Sequence, residues 1–95
     1  MSVVKRYRKK PVVIEAVCLI DQDHDNENMV AVADWISDNG GWCDQGPHEI
    51  CIQTLEGSFF ARHGDYVIRG VAGEFYRCDP DIFAASYDEV EEETA

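Results

Sequence analysis

Three arginines stand at intervals of seven and eight residues in the C-terminal half of the chain, at Arg62, Arg69 and Arg77. Each falls in a different segment with the alternation of a β-strand, so a regular register would bring two or three of them to one face. A guanidinium group binds phosphate through paired hydrogen bonds, and neighbouring aromatic rings can stack on a base. Two interpretations are open: the three arginines pair with the many carboxylates around them, or they form a site for a phosphate-bearing small molecule of the nucleotide type. The candidate ligand-binding residues are Arg62, Arg69, Arg77, Tyr66, Tyr76, Trp42, Lys9 and Arg8.

Residues suited to catalysis are scattered along the chain. His63 and Asp65 could act as a base with an orienting carboxylate, but a histidine in a turn between strands is typical of a surface residue. The sequence has no glycine-rich phosphate loop and no HExxH or GxSxG pattern. Cys43, His48 and Cys51 offer three ligands for a structural zinc ion, but not at zinc-finger spacing. We therefore predict no enzyme activity, no catalytic residue, no metal site and no cofactor.

The charge of the chain is unevenly placed. The formal net charge is −11, from 19 acidic and 8 basic side chains. The first ten residues hold five cations and no acid, whereas the last eight hold five carboxylates and no base. We expect the basic strip over residues 1–10 either to pair with the acidic body or to help hold a phosphate group. The overall acidity argues against general nucleic-acid binding, because the phosphate backbone repels a negatively charged surface.

Other features of the whole chain indicate the cellular compartment in which the protein acts. No apolar run approaches the roughly 18 residues that a membrane-spanning helix needs, and no apolar segment follows the basic N-terminus as in a secretory signal. We therefore expect no membrane association. The four cysteines form no CxxC pair, and we expect free thiols in a reducing cytoplasm.

Two elements are expected to precede the arginine-bearing strands. Residues 11–20 are rich in β-branched side chains and apolar on both faces, which predicts a central strand. Asn28 is a helix-capping residue type, and the apolar spacing after it predicts an α-helix over residues 29–39. Gly40 and Gly41 then supply the left-handed residue that commonly ends a helix. This helix is expected to cover one face of a sheet.

The arginines belong to a predicted meander of four strands joined by short turns. After a loop over residues 42–48, the strands cover residues 49–54, 58–62, 66–69 and 74–78, with a hairpin turn at Glu56 and Gly57. Asp65 is expected to hydrogen-bond the backbone of its own turn. Asp79 and Pro80 are typical of a helix start, and we expect a short helix to residue 85, with an optional strand over residues 86–88.

This order of elements predicts one small α+β domain over residues 1–87. Its core is a twisted, mostly antiparallel sheet made of the first strand and the meander, with one covering helix and a short C-terminal helix. The alternative prediction for the sheet is a partly closed barrel. Residues 88–95 are expected to form a disordered acidic tail.

Two parts of the sequence resemble a known family. They read YRKKPVVIEAV at residues 7–17, then TLEG at 54–57, GDYVIRGVAGEFY at 64–76 and PDIF at 80–83. In this order they resemble small proteins encoded by tailed phages and prophages. The chain departs from that pattern at His63, Arg77 and Asp79, where members commonly have Pro, Pro and Lys. The resemblance implies a phage origin and a setting in the host cytoplasm, and it implies no reaction mechanism.

Three classes of function are consistent with these features. The first is a non-enzymatic binding protein that sequesters a nucleotide-type host defence signal. The second is an acidic DNA mimic, or an inhibitor, that binds a host protein. The third is a structural accessory protein that self-associates as a homo-oligomer, because Trp35, Trp42 and the aromatic-rich strands exceed what 95 residues can bury.

Overall fold

The computed structural model describes residues 3–22 and 26–90, and in these ranges the chain forms six strands and two helices. In chain order they are β1 (Glu15–Cys18), α1 (Glu27–Asp38), β2 (Trp42–Gln45), β3 (Glu49–Thr54), β4 (Gly57–Arg62), β5 (Tyr66–Arg69), β6 (Phe75–Cys78) and α2 (Pro80–Ser86). The predicted α+β class is confirmed.

The strands form two antiparallel sheets of three strands each. Their orders are β1-β5-β6 and β2-β3-β4, and the two sheets do not close into a barrel. The prediction of one continuous meander is wrong at residues 63–65, because β4 and β5 belong to different sheets. The turn between them is tied to the end of β1 instead: Gly64 N donates to Leu19 O, and Leu19 N donates to Asp65 O, each at 2.8 Å.

One core fills the space between α1 and the two sheets. The predicted apolar stripe of α1 is buried there, and Trp35 beside it packs edge-on against Phe75 with ring centroids 5.4 Å apart. The buried members of the core are Leu19, Met29, Val32, Ile36, Ile50, Ile52, Ala61, Val67 and Phe75. Burial of such side chains is the main source of stability in a domain of this size.

The start of α1 differs from the prediction. Asn28 lies inside the first turn, and Asn26 occupies the N-cap position without a side-chain hydrogen bond. Asn28 instead accepts a hydrogen bond from Ile20 N at 2.7 Å and donates one to Cys18 O at 3.2 Å. Its amide therefore satisfies backbone groups at the end of β1, which a sequence pattern for helix capping does not reveal.

The end of α1 follows the prediction, but the segment after it does not. Gly40 adopts the left-handed conformation with φ +84°, as a helix stop requires. At Gly41 a Cβ atom would lie 2.6 Å from Ile36 Cγ2, so the chain passes tightly from helix to strand. The prediction of a loop over residues 42–48 is wrong for β2, where Trp42 pairs with Gln53 of β3.

The first strand is shorter and more peripheral than predicted. β1 lies at the edge of its sheet and pairs with β5 alone, so it is not a central strand. Since β5 ends at Arg69, opposite Glu15, residues 11–14 have no partner strand. Residues 3–13 are all exposed, and we call them the N-terminal arm. The radius of gyration is 15.3 Å. A compact domain of this length has about 12 Å, so the chain is more extended than a compact globule.

The C-terminal part begins as predicted. Asp79 occupies the N-cap position of α2 and Pro80 its first turn, although the Asp79 carboxylate makes no capping hydrogen bond. The optional strand over residues 86–88 does not form, because Ser86 ends the helix and residues 87–90 have no regular structure. Of the predicted acidic tail, residues 91–95 lie outside the described residues.

Candidate functional site

Two of the arginines predicted to bind phosphate form cross-strand ion pairs. Arg62 of β4 lies opposite Glu49 of β3, with Nη2 at 3.4 Å from Oε2. Arg69 of β5 lies opposite Glu15 of β1, with Nη1 at 3.1 Å from Oε1. Exposed pairs of this kind stabilise a fold by at most about 1 kcal/mol. A phosphate ligand would nevertheless have to compete with a carboxylate that is already in place.

Arg77 is paired with two carboxylates at the end of β6. Its Nη1 lies 2.6 Å from Asp79 Oδ1 and 3.4 Å from Asp65 Oδ1. The hydrogen bond to Asp79 raises the pKa of the Arg77 guanidinium. Asp65 also accepts a hydrogen bond from Arg62 N at 2.9 Å, which confirms the prediction that it binds its own turn.

The strand register separates the three arginines. Arg69 and Arg77 share the face of the first sheet that carries the core residues Val67 and Phe75. Arg62 belongs to the second sheet. The structure therefore brings two of the three arginines to one face, where Arg69 pairs with one carboxylate and Arg77 with two, and leaves Arg62 on another sheet.

Three other candidates meet on the opposite face of the first sheet. Lys9 Nζ donates to Tyr87 Oη at 2.8 Å, and Tyr87 is also hydrogen-bonded to Tyr76. Tyr66 stacks on Phe83 with ring centroids 3.8 Å apart and planes inclined by 4°. We call these five residues the tyrosine cluster. Phe83 and Tyr87 were not among the sequence candidates, because only the tertiary fold brings α2 over this face.

The tyrosine cluster holds two phenols with opposite pKa shifts. The hydrogen bond from Lys9 lowers the pKa of Tyr87. Burial, and then the hydrogen bond with Tyr87, raise the pKa of Tyr76 to about 12. The rings of Phe83 and Tyr87 also stack on one another, with centroids 5.0 Å apart. The aromatic faces are therefore largely occupied by each other rather than open to a base.

A cleft of about 940 Å³ opens where β4 and β6 begin. Residues 57–59 of β4 form one wall and residues 74–76 form the other, while Trp42 and the hairpin between β3 and β4 complete it. β4 and β6 are edge strands, each paired on one side only within the described ranges. Their outer edges therefore present backbone N–H and C=O groups that no neighbouring strand satisfies.

The lining of this cleft is apolar and acidic. Trp42 is 75% exposed and Leu55 is 108% exposed, as open as in an extended peptide, while Phe59 is half-buried. Glu56 and Glu74 supply carboxylates, and among the described residues no lysine or arginine lines the cleft. Of the sequence candidates, Trp42 and Tyr76 line this cleft, and Arg8 lies apart in the N-terminal arm.

Leu55 is the residue that the sequence interpretation missed. The turn between β3 and β4 consists of Leu55 and Glu56, not of Glu56 and Gly57, because Gly57 opens β4 with φ +132°. Thr54 Oγ1 donates to Gly57 O at 2.8 Å and accepts from Glu56 N at 3.2 Å, which fixes the turn. A large apolar side chain in a tight turn, where polar residues prevail, is the signal that identifies it.

The cations of the N-terminal arm have no carboxylate partner in the described ranges. None of the ion pairs there involves Lys5, Arg6, Arg8, Lys9 or Lys10, and Lys9 contacts the Tyr87 hydroxyl instead. Within the described ranges the strip therefore does not pair with the acidic body. Lys5, Arg6, Arg8 and Lys10 are exposed.

The histidine alternative lacks the geometry that it needs. His63 Nδ1 accepts a hydrogen bond from Asp21 N at 3.0 Å, while Asp65 binds the turn backbone, so this carboxylate does not orient the imidazole. Asp21 also contacts a second histidine, because its Oδ2 lies 2.9 Å from His48 Nδ1.

The cysteines are free thiols, and burial raises the pKa of the Cys43 thiol. Residues 3–22 and 26–90 contain no group of three or more His, Cys, Asp or Glu side chains that could hold a metal ion. The described residues therefore supply no set of ligands for the structural zinc ion that the sequence suggested.

Comparison with known proteins gives no match. No family model matches the chain, and no curated protein or solved structure matches it. In the part of the chain that the structure describes, neither helix has the length and apolar character needed to cross a membrane.

Proposed function

We propose that this protein is a non-catalytic binding domain that captures an extended segment of a partner protein in the cleft between β4 and β6. One observation carries the proposal: two unpaired strand edges and the exposed side chains of Trp42 and Leu55 share one concave surface. An extended peptide that adds to a strand edge forms main-chain hydrogen bonds, while side-chain contacts select its sequence.

The charge of the cleft selects the charge of the partner segment. Glu56 and Glu74 line it, and the chain has a net charge of −11. A cationic segment is attracted to such a surface and an acidic one is repelled. Apolar side chains alternating with the cations would contact Trp42 and Leu55. The partner segment is therefore extended, cationic and partly apolar.

This proposal corresponds to the second class of function that the sequence suggested, an inhibitor that binds a host protein. The phage origin and the host cytoplasm come from the resemblance of residues 7–17 and 54–83 to phage proteins. A small acidic domain without catalytic machinery acts in that setting by occupying a basic segment of its target.

Trp42 provides a spectroscopic test of the proposal. The chain has two tryptophans, and only Trp42 lines the cleft, whereas Trp35 packs against the core. Titration with a synthetic peptide of alternating lysine and valine should shift the emission to shorter wavelength as Trp42 leaves water. The variant Trp42→Phe retains Trp35 and should show no shift.

The matched control is a peptide of alternating glutamate and valine, which should leave the emission unchanged. No shift with the lysine–valine peptide up to millimolar concentration would contradict the proposal. An equal shift with both peptides would contradict the role of Glu56 and Glu74.

A nucleotide ligand is the second candidate, and one observation favours it. Lys9, Tyr66 and Tyr76 of the predicted set lie together in the tyrosine cluster, where a phosphate could take the place of the Tyr87 hydroxyl beside Lys9. A rise in Tm with linear or cyclic nucleotides that the variant Lys9→Met loses would support this candidate. No rise at millimolar nucleotide would exclude it.

A further inference from the structure

We infer that the cleft takes the N-terminal arm of a second copy of this chain, so that copies associate head to tail. The inference rests on the proposed function, because the arm of a second copy is one segment that the same cleft would bind. It depends on three features: an arm without a partner strand among the described residues, an arm composition that matches the cleft, and a cleft that the described arm residues of the same copy do not line.

The arm has no partner strand among the described residues because the sheet ends before it. Val12 and Val13 have the β-branched side chains that favour strands, yet β5 stops opposite Glu15 and gives them no partner. Val13 is 77% exposed as a result. Lys9 Nζ donates a hydrogen bond to Tyr87 of its own domain, and residues 5–8 are exposed.

The outer part of the arm has the chemistry that the cleft requires. Residues 5–8 can extend about 13 Å from Lys9, at roughly 3.3 Å per residue. In an extended conformation Lys5 and Tyr7 lie on one side and Arg6 and Arg8 on the other. Tyr7 is 88% exposed, so its ring offers apolar surface that docking would bury.

The cleft offers the complementary groups. Trp42, Leu55 and Phe59 can contact Tyr7, and the Glu56 and Glu74 carboxylates can pair with the arm cations. The described residues of the arm of the same copy do not line this cleft. The open edges of β4 and β6 can then form main-chain hydrogen bonds with the incoming segment.

The arm and the cleft are different surfaces, so the contact between copies is heterologous. Repetition of such a contact gives an open chain of copies, or a ring if the rotation closes. Light scattering across a concentration series should therefore show a mass that rises above that of the monomer. Added salt should reduce the rise, because the contact includes exposed charges.

Two variants defective at opposite ends of the contact test its geometry. Arg6→Gln/Arg8→Gln removes arm cations and keeps the cleft, while Leu55→Ser/Glu56→Gln alters the cleft and keeps the arm. Each should be monomeric alone. An equal mixture should form a dimer with one copy of each and nothing larger, because only one intact arm meets one intact cleft. The control Val71→Ser, exposed but outside the lining, should associate like the unaltered chain.

The inference is overturned if the unaltered chain is monomeric up to near-millimolar concentration at low salt. It is also overturned if the unaltered chain associates and both defective variants associate equally well. A monomeric chain whose Trp42 emission still responds to the lysine–valine peptide would leave the proposed function standing. If the unaltered chain shows neither association nor a response of Trp42 to the peptide, the proposed function is contradicted as well.

Discussion

Replacing Leu55 by serine should weaken peptide binding without changing stability. Leu55 is 108% exposed, so the folded domain has no packing around it to lose, and the free energy of unfolding should change by less than about 0.5 kcal/mol. Burial of a leucine side chain on docking contributes about 1.5–3 kcal/mol. Since about 1.4 kcal/mol is a factor of ten, the Kd of the lysine–valine peptide should rise roughly 10- to 150-fold.

Fluorescence anisotropy of a labelled lysine–valine peptide measures the affinity, and urea denaturation measures the stability. Val71→Ser is the matched control, because Val71 is 72% exposed in the turn between β5 and β6 and does not line the cleft. It should bind the peptide like the unaltered chain.

Three outcomes would refute this reasoning. An unchanged Kd for Leu55→Ser would show that the captured segment does not cover the hairpin tip. A lowered unfolding midpoint would show that Leu55 has a structural role. Equal weakening by Val71→Ser would indicate non-specific adhesion to exposed apolar side chains.

Three further substitutions test the elements that position the cleft and the tyrosine cluster. Asn28→Ala should destabilise the domain by about 1–3 kcal/mol in urea denaturation, because it leaves backbone groups at the end of β1 unsatisfied, whereas Asn26→Ala should change little. Gly41→Ala should lower the Tm, at a cost of about 1–3 kcal/mol, because its Cβ has no room between α1 and the core; an unchanged Tm would contradict this packing. The pKa of Tyr76 is raised to about 12 from 10.0, so its contribution to stability is present below pH 10.0 and is lost as pH rises through about 12. Lys9→Met should raise the pKa of Tyr87, because the hydrogen bond from Lys9 is lost; ultraviolet titration follows this pKa, with Tyr87→Phe as the reference that lacks this phenol, and an unchanged Tyr87 pKa would refute the role of Lys9.

Local features of the fold were predictable from the sequence because interactions between residues close in the chain determine them. The apolar stripe of α1, the left-handed Gly40 and the start of α2 at Pro80 each depend on neighbours within a few residues. The division into two sheets depends on hydrogen bonds between the turn at Gly64 and the distant Leu19. A pattern of strands and short turns cannot distinguish that arrangement from one continuous meander.

The candidate site also depends on contacts between residues far apart in the sequence, which a local pattern does not reveal. The residue type and strand positions of Arg69 were predictable, but its partner Glu15 is 54 residues away, so its pairing was not. The cleft arises where the edges of two sheets meet, and only the tertiary fold creates it. Leu55 carried a local signal, an apolar side chain in a tight turn, that identifies it once the turn is placed correctly.

The most direct test of the cleft is a map of the backbone amides that respond to a bound peptide. The isotope-labelled chain is titrated with the lysine–valine peptide, and nuclear magnetic resonance records the shift of each amide signal. The proposal predicts that the largest shifts cluster on residues 57–59 and 74–76, the two edges that line the cleft. Shifts centred on Tyr66 and Phe83, or no shifts at saturating peptide, would contradict it.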